Sequence, residues 1–254
     1  MIPKIIHYCW FGGNPLPKAA EKCIKSWKKY CPDYEIIEWN ESNFDINSNQ
    51  YVKEAYENKK YAFVTDYVRL YAMYNYGGIY MDTDVEVLKP LDCFLDNHAF
   101  SGFESSGYIP TGLMASEKEF PLFRELLKYY DNRAFVNPDG SFDTTTNTVT
   151  ITNLCKNRGL VLNNEYQVVD GFVLYPSDYF CVKNTHTGII EKTHNSYSIH
   201  HFNASWNTKE ERQKTLERWN KHKIERIKRF PKVLLRRIIG DSTVDNIKRA
   251  ILKK

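Results

Sequence analysis

The 254-residue sequence contains no apolar run that approaches about 20 residues, the length an α-helix needs to cross a bilayer. We therefore expect no membrane-spanning helix. The first residues, MIPKIIHYCWFGG, lack the basic head, long apolar middle and small-residue cleavage site of a signal peptide. Repeats, low-complexity tracts and CxxC pairs are also missing, and the six cysteines are scattered. These absences favour a cytoplasmic protein with reduced, structural thiols over a disulfide framework or a zinc site.

Composition and charge divide the chain into two parts. Hydrophobic residues make up 42% of the sequence and aromatic residues 15%, which is enough for a folded core. Residues 209–254 hold 16 Lys and Arg but only 6 Asp and Glu, whereas the other 208 residues hold 19 and 25. We predict a mildly acidic domain over residues 1–208 and a basic helical C-terminal extension over residues 209–254.

Strand and helix patterns alternate along the first half of the chain. The segments predicted as strands are KIIHYCW (4–10), YEIIEW (34–39), IYMD (79–82), FSGFE (100–104), TGLMAS (111–116), FVLYPSDYF (172–180) and YSIHHF (197–202). Helices are predicted over 18–30, over two segments within 50–76 and over 119–130; residues 131–165 give no clear pattern. The alternation predicts an α/β fold with a mostly parallel sheet, which binds ligands at the carboxyl ends of its strands.

Asp82 and Asp84 follow an apolar strand and are separated by one threonine. In an extended strand their side chains would share one side, with carboxylates about 5–7 Å apart. The repulsion would be roughly 3 kcal/mol at an effective dielectric constant of about 20, enough to raise one pKa by about two units. A divalent cation with oxygen ligands, Mn²⁺ or Mg²⁺, would offset this repulsion and hold a diphosphate. A solvated turn is the alternative, and the apolar strand before the pair argues against it.

Several segments together resemble one family of sugar-transferring enzymes. They are IPKIIHYCWFGG (2–13), SW (26–27), AFVTDYVRLYAMYNYGGIYMDTDVEVLKPL (62–91) and IHHFNASW (199–206). Spanning roughly residues 2–206, they resemble glycosyltransferase family 32, which includes bacterial capsule enzymes and, more distantly, the catalytic domains of clostridial glucosylating toxins. The resemblance implies a GT-A fold, a nucleotide-sugar donor, a divalent metal and transfer with retention at the anomeric carbon.

The resemblance also implies roles for individual residues. Trp10 matches an aromatic residue that stacks on the nucleotide base. Asp66 and Arg69, three apart on one face of a predicted helix, match a pair that holds donor-sugar hydroxyls and the diphosphate; a structural salt bridge is the alternative. Asp82 matches the aspartate that contacts ribose and sugar, and Asp84 matches the direct metal ligand.

The segment IHHFNASW implies the remainder of the donor site. Alternation along a strand lets only one of His200 and His201 reach the metal, and His201 is slightly favoured. Ser205 and Trp206 match a Ser-Trp pair that approaches the metal, the diphosphate and the leaving group. Tyr80 is expected to line the donor pocket, with a packed core tyrosine as the alternative.

One segment departs from the family pattern. TTTNTVT (144–150) occupies the place where a Gly-Pro after threonine is frequent, so a donor-sugar contact from Asn147 stays open. The resemblance implies that the metal and Arg69 neutralise charge on the departing nucleoside diphosphate. It implies no fixed protein nucleophile, so the acceptor hydroxyl is expected to attack from the leaving-group face.

The basic extension has the composition of a membrane-surface helix. Residues 216–254 interleave Lys and Arg with apolar side chains and Trp219, and Pro231 is predicted to interrupt the helix. We expect peripheral attachment to an anionic membrane at the inner face of the cytoplasmic membrane, near a saccharide or lipid-linked saccharide acceptor. Terminal helices packed on the domain are the alternative, and nucleic-acid binding is not expected.

The sequence therefore predicts a metal-dependent hexosyltransferase of bacterial capsule or surface polysaccharide synthesis, with a UDP-sugar favoured as donor. Two alternatives remain. IYMDTDVEVL also fits the opening motif of phosphatases of the haloacid-dehalogenase type, with Asp82 as nucleophile, Asp84 as general acid and IIGDSTVD (238–245) as a later motif. A non-catalytic, sugar-binding module with a transferase-like fold is the other.

Overall fold

The structure, a computed structural model, describes residues 1–105, 107–203 and 207–239, with side chains described as far as residue 228 in the last helix. The strands in this part of the chain are β1 (Ile5–Cys9), β2 (Glu35–Trp39), β3 (Gly78–Met81), β4 (Val85–Val87), β5 (Ala99–Gly102), β6 (Leu113–Ser116), β7 (Gln167–Val169), β8 (Phe172–Tyr175) and β9 (Ser198–His200). The helices are α1 (Lys18–Tyr30), α2 (Gln50–Glu57), α3 (Tyr61–Tyr76), α4 (Pro121–Lys128), α5 (Asn147–Lys156), α6 (Ser177–Phe180) and α7 (Lys209–Ile239).

Seven of the described strands form one sheet in the order β2-β1-β3-β6-β5-β8-β7. The pairs β1–β2, β1–β3 and β5–β8 are parallel, and β6 and β7 run against their neighbours. Strands β4 and β9 form a separate antiparallel pair. The predicted α/β class, with a mostly parallel central sheet and a helical C-terminal extension, is confirmed.

Hydrophobic cores lie on both faces of the central sheet because alternate residues of each strand point to opposite faces. In β3, Tyr80 packs into the core that contains residues of α2, α3 and α4, whereas Ile79 and Met81 pack into the core that contains residues of α1. Strand β3 is buried along its whole length. The sheet therefore holds the segment that follows Met81 firmly at its edge.

A tight turn of two glycines joins α3 to β3. Gly77 and Gly78 have φ angles of +69° and +98°, a region that favours glycine. A Cβ on Gly77 would lie 2.6 Å from the Lys118 nitrogen, and one on Gly78 would lie 2.6 Å from the Ile5 oxygen. The Nε2–H of buried His7 donates to the Gly77 carbonyl over 2.8 Å. This close packing fixes α3 relative to β3, and with it the residues that each carries to the site.

Some predicted elements differ from the observed ones. The predicted strand over 172–180 ends at Tyr175, because Pro176 lacks the N–H that a central strand needs, and short helix α6 follows. Helix α5 falls in the region that gave no clear pattern, and β4 and β7, of three residues each, are too short for an alternation to show. The predicted break at Pro231 is wrong: α7 continues through it as one helix of 31 residues.

Helix α7 contacts the preceding part of the described chain through Trp219. Trp219 is 7% exposed, and its Nε1–H donates to the Thr185 carbonyl over 3.0 Å. Leu216, Ile224 and Ile227 of the same helix are about half exposed or more. In the part of the chain that the structure describes, no helix combines the length and the apolar character that crossing a bilayer requires.

Candidate active site

The acidic pair lies in a turn between β3 and β4, not in an extended strand. Strand β3 ends at Met81, the Asp82 amide donates to the Gly112 carbonyl over 2.8 Å, and the Val85 amide donates to the Asp82 carbonyl over 2.9 Å. The two carboxylates were predicted to share one side because side chains alternate along a strand, and this cause is wrong. The carboxylates nevertheless face one place, because the turn reverses the chain between them.

That place is completed by His200. Ligand atoms of Asp82, Asp84 and His200 all lie within 4.8 Å of one another. The His200 Nε2 is 3.2 Å from Asp84 Oδ1 and 3.9 Å from Asp82 Oδ2. The histidine reaches this position because β9 pairs with β4 in a register that sets His200 opposite Val85, next to Asp84. The ring of Phe202 stacks on the imidazole with 4.0 Å between centroids.

The structure reverses the order favoured for the two histidines. His201 was favoured as the metal-facing residue, but its Nε2 lies 2.9 Å from Glu86 Oε2, outside the acidic pair. Its amide donates to the Asp84 carbonyl over 3.0 Å. Side chains alternate here as expected. The register of β9 against β4 decides which histidine faces Asp84, and this register cannot be read from the sequence.

The electrostatics of the cluster favour a cation. Burial opposes ionisation of Asp84, but His200 and the Asn203 amide together hold the pKa of Asp84 well below its usual range. Burial lowers the pKa of His200, and the neighbouring Asp84 outweighs burial and raises that pKa well above its ordinary value. Two carboxylates and one imidazole are a donor set that suits Mn²⁺ or Mg²⁺. The residues present therefore fit the predicted metal.

A buried ion-pair network adjoins the cluster. The Arg69 Nη2 lies 3.4 Å from Asp66 Oδ1 and 3.3 Å from Asp82 Oδ1. Its Nη1 donates to the carbonyl and to the hydroxyl of Thr111, over 2.9 and 2.7 Å. Arg69 and Asp66 are each 6% exposed. The salt bridge weighed as an alternative for this pair is thus present, and it extends to the first aspartate of the turn.

Asp66 is held in place by Asn147 at the start of α5. The Asn147 side-chain amide donates to the Asp66 carbonyl over 2.5 Å, and its backbone amide lies 3.4 Å from Asp66 Oδ2. Tyr130 in turn donates to Asn147 Oδ1 over 2.6 Å. Burial raises the pKa of Asp66 to about 6, although Arg69 opposes this rise. Asn147 is 1% exposed, so it supports Asp66 from within the core.

Gly112 lets the backbone approach the cluster closely. A Cβ on Gly112 would lie 2.6 Å from His200 Cε1 and 3.1 Å from Asp82 Oδ2. Strand β6 begins at the next residue and pairs with β3, so Gly112 lies directly beside the turn. Only glycine leaves room here for the imidazole and the carboxylate together.

Two cavities meet at Asp82 and Arg69, which line both. The larger, of about 450 Å³, is also lined by Trp10, Tyr61 and Tyr80. The smaller, of about 290 Å³, has an additional lining of Asp66, Thr111, Thr148, Thr185, His200 and Phe202. Trp10 is part-buried, and its Nε1–H donates to the Asn14 carbonyl over 2.5 Å.

Tyr80 lies between the core and the site. It is 1% exposed, its hydroxyl donates to Asp82 Oδ1 over 2.9 Å, and Arg69 lies over its ring at 4.9 Å. Its ring is thus packed in the core, and the residue also lines the larger cavity. Ser205 and Trp206, the other predicted donor contacts, lie outside the described residues.

Part of the chain is similar to a known family and to proteins with known names. Residues 17–101, which contain Asp66, Arg69 and the acidic turn, match the family described as "Glycosyltransferase sugar-binding region containing DXD motif". The sequence is 30% identical over 138 residues to inositol phosphoceramide mannosyltransferase 3 of Schizosaccharomyces pombe, covering 53% of this chain and 38% of that protein. The chain thus spans well under half the length of this relative.

A viral protein and a solved structure are also similar to this chain. An uncharacterized glycosyltransferase of Acanthamoeba polyphaga mimivirus is 26% identical over 203 residues, covering 72% of this chain and 77% of that protein. A glycosyltransferase involved in the glycosylation of the major capsid of PBCV-1 overlaps 85% of this chain and 100% of its own at 12% identity, with a TM-score of 0.44. Residues 17–101 thus resemble a glycosyltransferase sugar-binding region that contains a DXD motif.

Proposed function

We propose that the protein is a metal-dependent, retaining glycosyltransferase of family 32 type that moves a hexose from a nucleotide-sugar to a saccharide acceptor. The observation that carries this proposal is the convergence of Asp82, Asp84 and His200 at the junction of two cavities. The larger cavity has the size and the aromatic lining for a nucleoside diphosphate. The smaller one, with its threonine hydroxyls, has the chemistry to receive sugar hydroxyls.

The residues divide the work of binding. Trp10 stacks on the base in the larger cavity, and Tyr80 forms the wall behind the diphosphate. Arg69 places positive charge where both cavities meet, and Asp66 accepts hydrogen bonds from sugar hydroxyls on the side of the smaller cavity. Asp82 and Arg69 are fixed by mutual contact at 3.3 Å, so the site is organised before a donor enters.

Asp82, Asp84 and His200 would hold a Mn²⁺ or Mg²⁺ ion. When bound, the ion supplies positive charge against the diphosphate, the group on which negative charge builds during transfer. Arg69 adds a second, permanent positive charge from the protein side. The catalytic residues in this proposal are Asp66, Arg69, Asp82 and Asp84, and none of them acts as a covalent nucleophile.

Donor identity is the first property to test. UDP-sugars are favoured by the family resemblance, while the fungal relative is named as a mannosyltransferase, so GDP-mannose belongs in the same screen. We expect Mn²⁺-dependent release of nucleoside diphosphate from one donor among UDP-galactose, UDP-glucose, UDP-N-acetylglucosamine and GDP-mannose. Chelation should abolish the release, and added Mn²⁺ should restore it.

The same assay separates the alternatives. A phosphatase would release inorganic phosphate from simple phosphate esters, and a sugar-binding module would bind a donor without turnover. Phosphatase activity without donor hydrolysis would overturn the proposal. The later motif of the phosphatase alternative begins at Ile238 inside α7, and the remainder of that motif lies outside the described residues.

Helix α7 supports attachment to an anionic membrane surface, which would bring the site near a lipid-linked acceptor in bacterial surface polysaccharide synthesis. Leu216, Ile224 and Ile227 are 49%, 52% and 71% exposed on a strongly basic segment. Trp219, counted with these residues in the sequence analysis, is instead buried against the catalytic part and takes no part in such a surface.

Vesicle flotation tests this attachment. We expect the protein to float with vesicles of phosphatidylglycerol and phosphatidylcholine but not with phosphatidylcholine alone. A variant with Leu216, Ile224 and Ile227 all replaced by serine should lose most of that binding while keeping its hydrolysis of soluble donor. Equal flotation of the variant and the unchanged protein would contradict this role for α7.

A further inference from the structure

Helix α7 meets the catalytic part at the loop that follows Lys183. Besides the Trp219 hydrogen bond to Thr185, the Arg218 Nε–H donates to the His186 carbonyl over 3.1 Å, and Arg226 lies 3.0 Å from Glu191. These contacts hold α7 against residues 185–191 at two places, at Arg218 and Trp219 and again at Arg226. The extension is thereby held against the body by its own side chains.

The indole ring of Trp219 packs directly against Gly188 of this loop. Gly188 has a φ of +67°, and a Cβ on it would lie 2.3 Å from Trp219 Cγ. Asn184 closes the loop by accepting hydrogen bonds from the amides of His186 and Thr187, over 3.0 and 2.8 Å. The loop is therefore shaped to seat a large ring, which ordinary surface contact between a helix and a loop does not require.

Lys183 lies between this ring and the candidate metal site. Its Nζ is 3.7 Å from the centroid of the Trp219 ring and donates to the His201 carbonyl over 2.5 Å. Lys183 is 9% exposed, and none of the ion pairs found within the described residues includes it. A carbonyl and an aromatic face thus provide the close contacts of this buried ammonium group.

Main-chain groups of His201 link Lys183 to the candidate metal site. The carbonyl that Lys183 binds belongs to His201, the amide of His201 donates to the Asp84 carbonyl, and His200 precedes it. On the other side of the loop, Thr185 lines the smaller cavity and its amide donates to Ser105 Oγ over 2.8 Å. The end of β9 is therefore held from α7 as well as from β4.

We infer that Lys183 and Trp219 are positioning residues that hold the end of β9 so that His200 faces Asp82 and Asp84. The C-terminal helix then contributes to the cation site of the enzyme, beyond any contact with a membrane. This inference rests on the proposed function for the identity of the site, and it concerns how that site is kept in shape. Outer partners of metal ligands commonly change metal affinity by about 10- to 100-fold when they are removed.

The test measures binding of Mn²⁺ alone, followed by the electron paramagnetic resonance signal of free Mn²⁺. Lys183→Met keeps the apolar stem and removes the ammonium group, and we expect it to weaken Mn²⁺ binding about tenfold. Trp219→Ala should weaken binding to a similar extent. Lys183→Arg and Trp219→Phe, which keep the cation and the ring, should recover most of the affinity. Lys221→Met, the same substitution at an exposed lysine of α7, should bind as the unchanged protein does.

Thermal unfolding of each variant shows whether it is folded at the assay temperature, so that a lost ligand site is not mistaken for a lost fold. Unaltered Mn²⁺ affinity in folded Lys183→Met, with the unchanged protein binding Mn²⁺ well, would overturn this inference alone. If the unchanged protein bound no Mn²⁺, the cation site of the proposed function would fail and the inference with it. Weaker binding in Lys183→Met without recovery in Lys183→Arg would also count against a role for the positive charge.

Discussion

The two sides of Asp82 neutralise negative charge in different ways. On the α3 side, Asp66 faces a permanent cation, Arg69, whose donors are also taken up by Thr111. On the β9 side, Asp84 and the second oxygen of Asp82 face His200, which carries a charge only when protonated, and Asp84 also accepts from the Asn203 amide. On the α3 side, the protein itself supplies the positive charge that faces the carboxylates. On the β9 side, a metal ion can replace the proton of His200. One carboxylate, Asp82, joins the two sides.

Removing Asp84 should break the metal side with the largest effect on activity. Asp84→Asn takes away one anionic ligand and leaves the Arg69 network intact, so we expect donor hydrolysis with Mn²⁺ to fall about 10³-fold, as when a main electrostatic contact to the transition state is lost. Thermal unfolding should change little. The measurement is release of nucleoside diphosphate at saturating donor and Mn²⁺.

Glu86→Gln is the matched control for this change. Glu86 lies two residues further on and pairs with His201 outside the cluster. It should retain activity within a few-fold of the unchanged protein. Equal losses for the two variants would show that the difference between the two histidines drawn from the structure has no functional meaning.

Removing Arg69 should instead act on folding. Arg69→Met leaves Asp66 and Asp82 without their buried partner, and breaking a buried ion pair from one side costs about 4 kcal/mol of unfolding free energy. Urea unfolding measures this loss. Arg158→Met, which breaks a more exposed pair with Glu125 and Asp170, should cost at most about 1 kcal/mol. Similar losses for both variants would contradict the view that the α3 side is a structural network.

The α3 side could largely be predicted from the sequence, since it depends on local spacing. Asp66 and Arg69 lie three apart on one helix, and the glycines and the apolar strand after it identify the α3–β3 turn that brings them to Asp82. The partners Thr111 and Asn147 come from distant segments without a periodic pattern. Nothing in the local sequence around them indicates that they reach this pair.

The β9 side could be predicted in its residue types but not in its geometry. Two aspartates and a histidine pair in a late strand pointed to a metal site, yet the choice between His200 and His201 depends on the register of two three-residue strands. The role of Lys183 and Trp219 depends on how a terminal helix docks, which is a tertiary property. In both cases long-range contacts decide, and composition and spacing do not contain them.

His7 offers a comparison with His200, because it is a buried histidine without a carboxylate. Burial lowers the pKa of His7 to about 4; its Nε2–H donates to Gly77, and its Nδ1 accepts from the Trp39 indole over 3.2 Å. Protonation therefore favours the unfolded chain, whose histidine pKa is about 6.5. Stability should be fully present above pH 6.5 and should fall by about 3 kcal/mol as the pH drops from 6.5 to 4.

Urea unfolding across this pH range measures the effect of His7. His7→Gln has a side chain that cannot be protonated, so its unfolding free energy should depend less on pH over the same interval. The difference between the two curves isolates His7 from the other titrating groups. Parallel curves would show that His7 is not held neutral by the α3–β3 turn.

The pKa of His200 is raised, whereas that of His7 is lowered, and we expect its pH effect, seen in Mn²⁺ binding, to be smaller. Asp84 raises the pKa of His200 and so favours a proton on this ring in the metal-free protein, and we expect a cation to displace that proton. Calorimetric titration with Mn²⁺ at pH 7, in buffers of different ionisation enthalpy, should therefore report the release of about one proton per ion. Below the pKa of His200, the affinity for Mn²⁺ should rise about tenfold for each unit by which the pH is raised, or about 1.4 kcal/mol.

His200→Gln should bind Mn²⁺ more weakly and release no proton. Binding to the unchanged protein without proton release would mean that His200 does not exchange its proton for the ion, and the contrast between the two sides of Asp82 would be lost.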